Sequence, residues 1–318
     1  MKNILLLGGT GFVGSHVAEK LARLQWRVTV PTRRRVNARH LQTLPLLEVV
    51  ETDVHSEVVL TELVKGHDAV VNLVAILHGN EQAFQKAHVA LPMQLARACS
   101  AAGVSRVVHI SALGADAAAP SVYQRSKAAG EQALQSAGLR LSVLRPSVIF
   151  GAEDKFLNLF ARLQQVFPVM PLASGATRFQ PVWVEDVADA VLRCLQDDST
   201  IGHTYEACGP HVFTLKELVQ LAGRLGGANN GQGRPVLPLP LWAGQLQALL
   251  MELAPGEPLM SRDNLASLQV DNVASGRLPG LAALGFTPEP LSAVAPSYLG
   301  RRGLRTGLLA MRKTAGRF

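Results

Sequence analysis

The stretch Ile4-Leu5-Leu6-Leu7-Gly8-Gly9-Thr10-Gly11-Phe12-Val13-Gly14 decides the fold of this 318-residue chain. Its aliphatic half predicts a buried strand, and the amphipathic pattern that follows, Gly14–Leu24, predicts a helix. The glycines between them let the backbone turn sharply and approach a diphosphate, while the helix N-terminus offers free N–H groups. Two registers fit, Gly9-x-Gly11-x-x-Gly14 and Gly8-x-x-Gly11-x-x-Gly14. The context predicts a phosphate-binding loop; the alternative is a purely structural glycine turn.

Residues 1–150 alternate short aliphatic runs with amphipathic stretches, which predicts strands alternating with helices. The predicted strands are Asn3–Leu7, Arg27–Val30, Glu48–Thr52, Ala69–Leu73, Arg106–Ile110 and Leu141–Leu144. The predicted helices are Gly14–Leu24, Glu57–Val64, Ala83–Ala102 and Val122–Ala137. Near-continuous apolar strands indicate a parallel sheet covered on both faces. Right-handed crossovers then make the fold class α/β, a doubly wound parallel sheet of the Rossmann type.

After Gly151 the pattern becomes mixed. Helices are predicted at Lys155–Val166, Glu185–Leu195, Thr214–Leu225, Trp242–Glu252 and Asp263–Leu268, and a strand at His203–Ala207. Thr214 followed by Glu217 predicts a capping box. We therefore expect a dinucleotide-binding domain at 1–150, to which later segments return. It is followed by a smaller C-terminal lobe at 151–298, which would bind substrate or a partner, and by a basic tail at 299–318.

The second predicted strand ends in Val30-Pro31-Thr32-Arg33-Arg34-Arg35. Folds that select NAD place an acidic residue here, about 20 residues past the loop, to hold the ribose 2′-hydroxyl. This chain has guanidinium groups instead, and arginine grips a phosphate in a bidentate fashion. Arg33 and Arg34 therefore predict a preference for NADP(H), with NAD(H) as the alternative cofactor. The alternative for the arginines themselves is a solvated basic loop.

Tyr123-Gln124-Arg125-Ser126-Lys127 opens a predicted helix, so Tyr123 and Lys127 share one helix face. A nearby ammonium favours the phenolate and lowers the pKa of the tyrosine, so the pair can act as acid or base on a carbonyl or alcohol. We expect both side chains to contact the cofactor, with Tyr123 as the acid/base.

Loop and Tyr/Lys pair together resemble the short-chain dehydrogenase/reductase superfamily, in its extended and atypical branches. The resemblance extends to Leu144–Gly151, Gln180–Ala188, and His109–Asp116 followed by Tyr123–Glu131. These last motifs resemble an atypical group that includes the NADPH-binding accessory subunit of respiratory complex I. The resemblance implies further cofactor contacts: Asp53 and Val54 at the adenine, Asn72, Leu73, Val74 and Ala75 at its ribose, Ser111 with Tyr123 and Lys127 at the nicotinamide half, and Pro146, Ser147 and Val148 at the nicotinamide.

The chain departs from the extended-enzyme pattern at two positions. Extended enzymes carry a serine or threonine some two dozen residues before the tyrosine. Here Ser111 precedes Tyr123 by only 12 residues, and the expected register also fits Ala112 or Leu113. The asparagine expected on the preceding helix is replaced by His88. The leading hypothesis is an NADP(H)-dependent oxidoreductase or an enzyme like the sugar-nucleotide epimerases. The alternative is a weakly catalytic or inactive NADPH-binding subunit that serves the structure or assembly of a respiratory complex, and a third is a cofactor-sensing regulator.

Composition and charge exclude several other classes of protein. Hydrophobic residues make up 48% of the chain and charged residues 17%, which is typical of a globular protein. Three widely spaced cysteines and nine histidines without ligand spacing predict neither a disulfide framework nor a metal site. The longest apolar runs are far shorter than a membrane span, and we expect a cytoplasmic protein.

The net charge of +7 is concentrated in the tail, because six cations and no acid lie in the last 18 residues: Arg301, Arg302, Arg305, Arg312, Lys313 and Arg317. The body is nearly neutral, so we expect no nucleic-acid partner. Leu304, Leu308 and Met311 would form one apolar stripe on a helix there. Such a tail favours docking onto subunits of a respiratory complex or onto the anionic inner face of a membrane. The alternative is a solvated tail.

Overall fold

The computed structural model of the chain describes residues 1–253 and 258–299. The strands, in chain order, are β1 (Asn3–Leu7), β2 (Arg27–Thr32), β3 (Leu47–Glu51), β4 (Ala69–Asn72), β5 (Arg106–Ile110), β6 (Arg140–Pro146), β7 (Ile149–Phe150), β8 (Met170–Ala173), β9 (Arg178–Phe179), β10 (Val182–Trp183), β11 (Thr204–Ala207), β12 (Phe213–Thr214) and β13 (Val236–Leu239). The α-helices are α1 (Phe12–Arg23), α2 (Glu57–Val64), α3 (Glu81–Phe84), α4 (Leu91–Ala102), α5 (Val122–Gln135), α6 (Leu157–Val166), α7 (Val184–Gln196), α8 (Leu215–Leu225), α9 (Leu241–Leu253), α10 (Arg262–Ser267) and α11 (Leu291–Leu299). A π-helical segment at Gln85–Ala90 joins α3 to α4, and short 3-10 helices lie at Arg35–Leu41, Asp198–Thr200 and Leu281–Leu284.

The chain divides into two compact units. The first, the sheet unit, comprises Met1–Ser147, Val184–Cys208 and Ala274–Thr287. The second, the smaller unit, comprises Val148–Trp183, Gly209–Val273 and the chain from Pro288 onward.

Seven parallel strands form the sheet unit, in the order β11-β6-β5-β4-β1-β2-β3. This confirms the α/β doubly wound class and the six strands predicted in the first half of the chain. The strand predicted at His203–Ala207 is β11, which closes one edge beside β6. The strand order reverses between β1 and β4, and the carboxyl ends of strands at such a switch point are where ligands bind in open α/β sheets.

Alternation along β1 supplies both faces of the core. Leu5 and Leu7 pack into a cluster with Leu60 of α2 and Leu95 of α4. Ile4 and Leu6, which are also fully buried, point to the opposite face because successive strand side chains alternate. On that face α1 packs against α7. Both faces are thus covered by helices, as a parallel sheet requires.

The helix predicted at Ala83–Ala102 is present but not regular, because residues 85–90 form the π-helical segment. Such wide turns insert into α-helices and frequently lie at functional sites. Helix α5 approaches this segment closely at Gly130, where a Cβ would lie 1.8 Å from the carbonyl oxygen of His88. The glycine is therefore required by packing between two helices and not by a turn.

Among its described residues, the smaller unit contains three two-stranded pairs, β7 with β10, β9 with β12 and β8 with β13. Its largest apolar cluster joins α6, α8 and α11 through Phe160, Leu218 and Leu291. The predicted capping box is confirmed, since the Thr214 side chain accepts from Glu217 N and the Glu217 carboxylate accepts from Thr214 N. All three cysteines are buried and free. Within residues 1–253 and 258–299, no helix is long and apolar enough to span a membrane.

Candidate functional site

The glycine-rich loop lies between β1 and α1, and its close backbone contacts explain its composition. Gly8 has φ +80°, a conformation that favours glycine. A Cβ on Gly14 would lie 2.3 Å from the Gly8 oxygen and 2.6 Å from the Gly9 Cα. The loop is closed by hydrogen bonds from Gly11 N to Gly8 O (3.0 Å) and from Ser15 N to Gly11 O (2.9 Å).

The N-terminus of α1 suits an anion. Its N-cap, Gly11, supplies no side-chain hydrogen bond, so no capping side chain occupies the amides of the first turn, and that turn contains no acid. A Cβ on Gly11 would meet only the Gly8 oxygen, at 3.3 Å, within 4 Å. The loop residues Gly8 to Gly14 therefore fit a diphosphate, whose charge the helix dipole and the free N–H groups would stabilise.

Beyond β2, Arg33 and Arg34 are exposed, and neither forms a salt bridge with any residue in the described parts of the chain. The Thr32 hydroxyl fixes the backbone here by donating to Arg34 O at 3.2 Å. Both guanidinium groups are thus available to an external anion.

Asp53 and Val54 lie at the start of the segment that joins β3 to α2. The Asp53 carboxylate accepts from His55 N at 3.1 Å. Burial lowers the pKa of His55, Asp53 raises it, and the nearby charges of Lys86 and Arg33 lower it further. Lys86, from the π-helical segment, thus lies in the same neighbourhood as Arg33. Sequence reasoning missed this lysine because no local motif marks it.

The loop after β4, residues 73–77, lies against the glycine-rich loop. A Cβ on Gly8 would lie 3.0 Å from the Leu73 carbonyl carbon, and Leu73 N donates to Leu7 O at 2.9 Å. The Asn72 side chain accepts from Val74 N (3.2 Å) and lies 3.2 Å from His109 Nδ1. Asn72, expected to line a ribose, therefore uses its amide to hold the backbone that leads to Ala75.

Tyr123 and Lys127 lie on α5, which begins at the N-cap Ser121. Lys127 is 2% exposed, and its Nζ donates to Ile110 O at 2.7 Å. Burial lowers the pKa of Lys127 to about 8 and raises the pKa of Tyr123 to about 12. Burial thus raises the pKa of Tyr123, in the direction opposite to the lowering expected from the sequence.

Ser111 follows β5 and is held there by its backbone N–H, which donates to Leu144 O at 2.8 Å. Its Oγ is buried and has no hydrogen-bond partner among the described residues. A buried hydroxyl of this kind is costly unless a ligand or water satisfies it, so Ser111 fits a polar group of a cofactor or substrate. Neighbouring Ala112 and Leu113 are buried and apolar.

Pro146 and Ser147 lie at the carboxyl end of β6, where the first segment of the sheet unit ends. Pro146 O accepts from Leu113 N at 2.9 Å, and Ser147 N donates to Ala207 O at 3.0 Å. Val148 belongs to the smaller unit, where its N–H donates to Asn272 Oδ1 at 3.1 Å. The predicted basic tail, 299–318, lies outside the described residues apart from Leu299.

The sheet unit thus places a glycine-rich loop, an uncapped helix N-terminus, a half-buried Tyr123 and a buried Lys127 at the carboxyl ends of parallel strands. These features define a dinucleotide-binding α/β protein of the short-chain dehydrogenase/reductase type. The chain belongs to the NAD dependent epimerase/dehydratase family, whose model matches residues 4–208.

Relatives and solved structures agree with this assignment. The mitochondrial NADH dehydrogenase (ubiquinone) 1 alpha subcomplex subunit 9 of Mus musculus is 33% identical over 93% of this chain and 79% of its own length. The mitochondrial NADH-ubiquinone oxidoreductase 40 kDa subunit of Neurospora crassa is 27% identical over 92% of this chain and 78% of its own. The dTDP-glucose 4,6-dehydratase DesIV from Streptomyces venezuelae, solved with NAD bound, shares the fold with a TM-score of 0.73 at 21% identity, covering 93% of this chain and 95% of that one.

Proposed function

We propose that this protein binds NADP(H) and acts mainly as an accessory or assembly subunit of a respiratory NADH dehydrogenase. The observation that carries the proposal is the 33% identity to an NADH dehydrogenase subunit across 93% of the chain.

The sheet unit supplies groups for each part of the cofactor. The glycine-rich loop would bind the diphosphate, Arg33 and Arg34 the 2′-phosphate, and Asp53 and Val54 the adenine edge. Ser111, Tyr123 and Lys127 would face the nicotinamide half, with the backbone of Pro146 and Ser147 beside it. The cofactor, when bound, supplies a nicotinamide ring that accepts or donates hydride.

Coenzyme choice is tested by titration calorimetry with NADPH and NADH on the wild type and on the double variant R33A/R34A. A hydrogen bond to a charged group contributes about 1.5–3 kcal/mol, and exposure weakens it, so we expect the Kd for NADPH to rise about ten- to a hundredfold. The Kd for NADH should stay within about twofold, because NADH has no 2′-phosphate for these arginines to bind. The conversion used is tenfold in Kd for each 1.4 kcal/mol. R39A, which removes another exposed arginine of the same segment, is the control. Equal wild-type affinity for both coenzymes contradicts the preference.

The accessory role predicts cofactor that survives purification, stays reduced without substrate and stabilises the fold. Mass spectrometry of the small molecule that co-purifies measures its retention and its redox state, and thermal unfolding before and after its removal measures its effect on stability. We further propose a location in the cytoplasm, peripheral at the inner membrane face. Removing residues 300–318 should then weaken co-sedimentation with anionic liposomes or with the respiratory complex, and unchanged co-sedimentation of both refutes a role for the tail.

A second candidate, an oxidoreductase or epimerase-like enzyme, is favoured by the Tyr123 and Lys127 side chains on one face of α5. In this reaction Tyr123 would move a proton to or from the substrate oxygen, and Lys127 would hold the ribose. The enzyme hypothesis predicts that Y123F loses turnover while its Kd for NADPH stays unchanged. Absence of turnover in the wild type with a panel of aldehydes, ketones and sugar nucleotides favours the accessory role.

A further inference from the structure

His88 is a buried imidazole whose two ring nitrogens both have hydrogen-bond partners. It lies in the π-helical segment and is 2% exposed. Its Nε2 is 3.0 Å from Ile76 N, and its Nδ1 is 2.9 Å from Ser126 Oγ. A backbone N–H can only donate, so Nε2 must accept. The neutral ring therefore carries its proton on Nδ1 and donates it to Ser126.

The hydrogen bonds continue in the same direction into α5. The Ser126 hydroxyl donates to the Tyr123 carbonyl at 2.8 Å, which leaves its oxygen free to accept from His88. The His88 and Tyr123 rings also meet edge to face, with centroids 5.5 Å apart and an interplanar angle of 81°. One side chain therefore fixes both the backbone and the ring of Tyr123.

The same imidazole fixes the loop after β4. Asn72 accepts from Val74 N and His88 accepts from Ile76 N, so side chains hold both of these backbone amides. Asn72 belongs to the strand that leads into the loop, whereas His88 belongs to a helix packed against α5. His88 therefore links the loop to α5 through hydrogen bonds at both of its ring nitrogens.

We propose that His88 is a positioning residue that couples the loop after β4 to the first turn of α5, and so keeps the two halves of the dinucleotide site in register. This inference rests on the proposed binding of a nicotinamide dinucleotide. His88 acts through Ile76, Ser126 and Tyr123 and does not touch the reacting atoms. Burial and the nearby Lys127 ammonium lower the pKa of His88 to about 3, so the coupling is intact across the physiological pH range.

Two substitutions by amide side chains, H88Q and H88N, test the two hydrogen bonds of His88 one at a time. A glutamine amide reaches about as far as Nε2 and an asparagine amide about as far as Nδ1. H88Q therefore keeps an acceptor for Ile76 N and loses the donor to Ser126, while H88N keeps that donor and loses the acceptor. H88A loses both, and H40A, at an exposed histidine of the same unit, is the matched control.

Calorimetry with NADPH and with 2′,5′-ADP, which carries only the adenosine half, measures the coupling. Without these hydrogen bonds the loop and α5 must be brought back into the binding arrangement when NADPH binds. A cost of about 1.4 kcal/mol for this step is a tenfold change in Kd, so the Kd of H88A for NADPH should rise about tenfold or more. H88Q should bind 2′,5′-ADP like the wild type, H88N should bind it more weakly, and H40A should be unchanged. A folded H88A protein with a lower Tm and a wild-type Kd would overturn the proposal, because it shows a structural role alone.

Nitrogen-15 NMR of the histidine rings tests the tautomer without any cofactor. We expect an Nδ1–H signal, assigned by its loss in H88Q, that does not titrate above pH 4.5. An Nε2–H tautomer overturns the proposal. Failure of the wild type to bind either coenzyme contradicts the proposed function and this inference together, whereas unchanged binding by H88A contradicts only the role of His88.

Discussion

The substitution G14A tests the role of the glycine-rich loop most directly. A methyl group there would lie 2.3 Å from Gly8 O, 2.6 Å from Gly9 Cα and 2.8 Å from Gly9 C. All three atoms belong to the backbone, so no side-chain rotation relieves the clash. Ordinary contact requires about 3.5 Å, and the loop must therefore retreat from α1 by about 1 Å.

A displacement of about 1 Å exceeds the range over which N–H groups hold an oxygen, roughly 2.7–3.2 Å. Several amides would lose the diphosphate together, and hydrogen bonds to a charged group contribute about 1.5–3 kcal/mol each. We expect the Kd for NADPH to rise at least about a hundredfold. Overpacking costs about 1–3 kcal/mol of folding free energy, and the better helix propensity of alanine offsets up to about 1 kcal/mol of it.

Titration calorimetry gives the Kd, and thermal unfolding without cofactor shows how much of the effect is loss of fold. G280A is the control, because a methyl group at Gly280 would have only Glu206 O within 4 Å, at 3.7 Å. G14A should lose the thermal stabilisation that NADPH gives to the wild type and to G280A. A folded G14A protein that binds NADPH with the wild-type Kd would refute a diphosphate site at this loop.

Three further predictions concern the neighbourhood of the site. G130A should push α5 away from the π-helical segment, since its Cβ would lie 1.8 Å from His88 O. We expect the free energy of unfolding, measured by chemical denaturation, to fall by about 1–3 kcal/mol. Unchanged stability would contradict the close packing. K86A should raise the Kd for NADPH about two- to fivefold with NADH unaffected, because one exposed charge contributes below about 1 kcal/mol; calorimetry measures it, and an equal effect on both coenzymes contradicts a phosphate contact. Hydrogen bonds from His16 and Lys20 lower the pKa of Glu185 to about 2. The ionised carboxylate therefore stabilises the fold above pH 4.5, and this stabilisation is lost as the pH falls towards 2. Chemical denaturation across this range should show a smaller loss of unfolding free energy for E185Q than for the wild type, and parallel curves would contradict this role of Glu185.

Local patterns in the sequence were enough to predict the first half of the fold. Aliphatic runs bounded by turns predicted β1 to β6, and a glycine-rich turn between a strand and a helix predicted the loop. These signals are local because the alternation of buried side chains is set by backbone periodicity within a few residues. The Thr214–Glu217 capping box was predictable for the same reason.

The partners of the site side chains were not predictable, because they come from distant parts of the chain. No local pattern indicated that the Lys127 ammonium donates to Ile110 O. Nor did the sequence show that the Asn72 amide holds Val74 N and lies against His109. His88 was recognised only as a departure from a pattern, and no spacing indicated that it joins Ile76 to Ser126.

The sequence by itself determined the strand–loop–helix unit, the doubly wound sheet and the family. The sequence also predicted that later segments return to the first domain, but tertiary structure alone identified them as Val184–Cys208 and Ala274–Thr287. It also decided that Tyr123 has a raised pKa and not a lowered one, since burial depends on every element packed around the ring. The physical reason is the same in both cases: periodicity is encoded over a few neighbouring residues, whereas desolvation and hydrogen-bond partners depend on segments that meet only after the chain has folded.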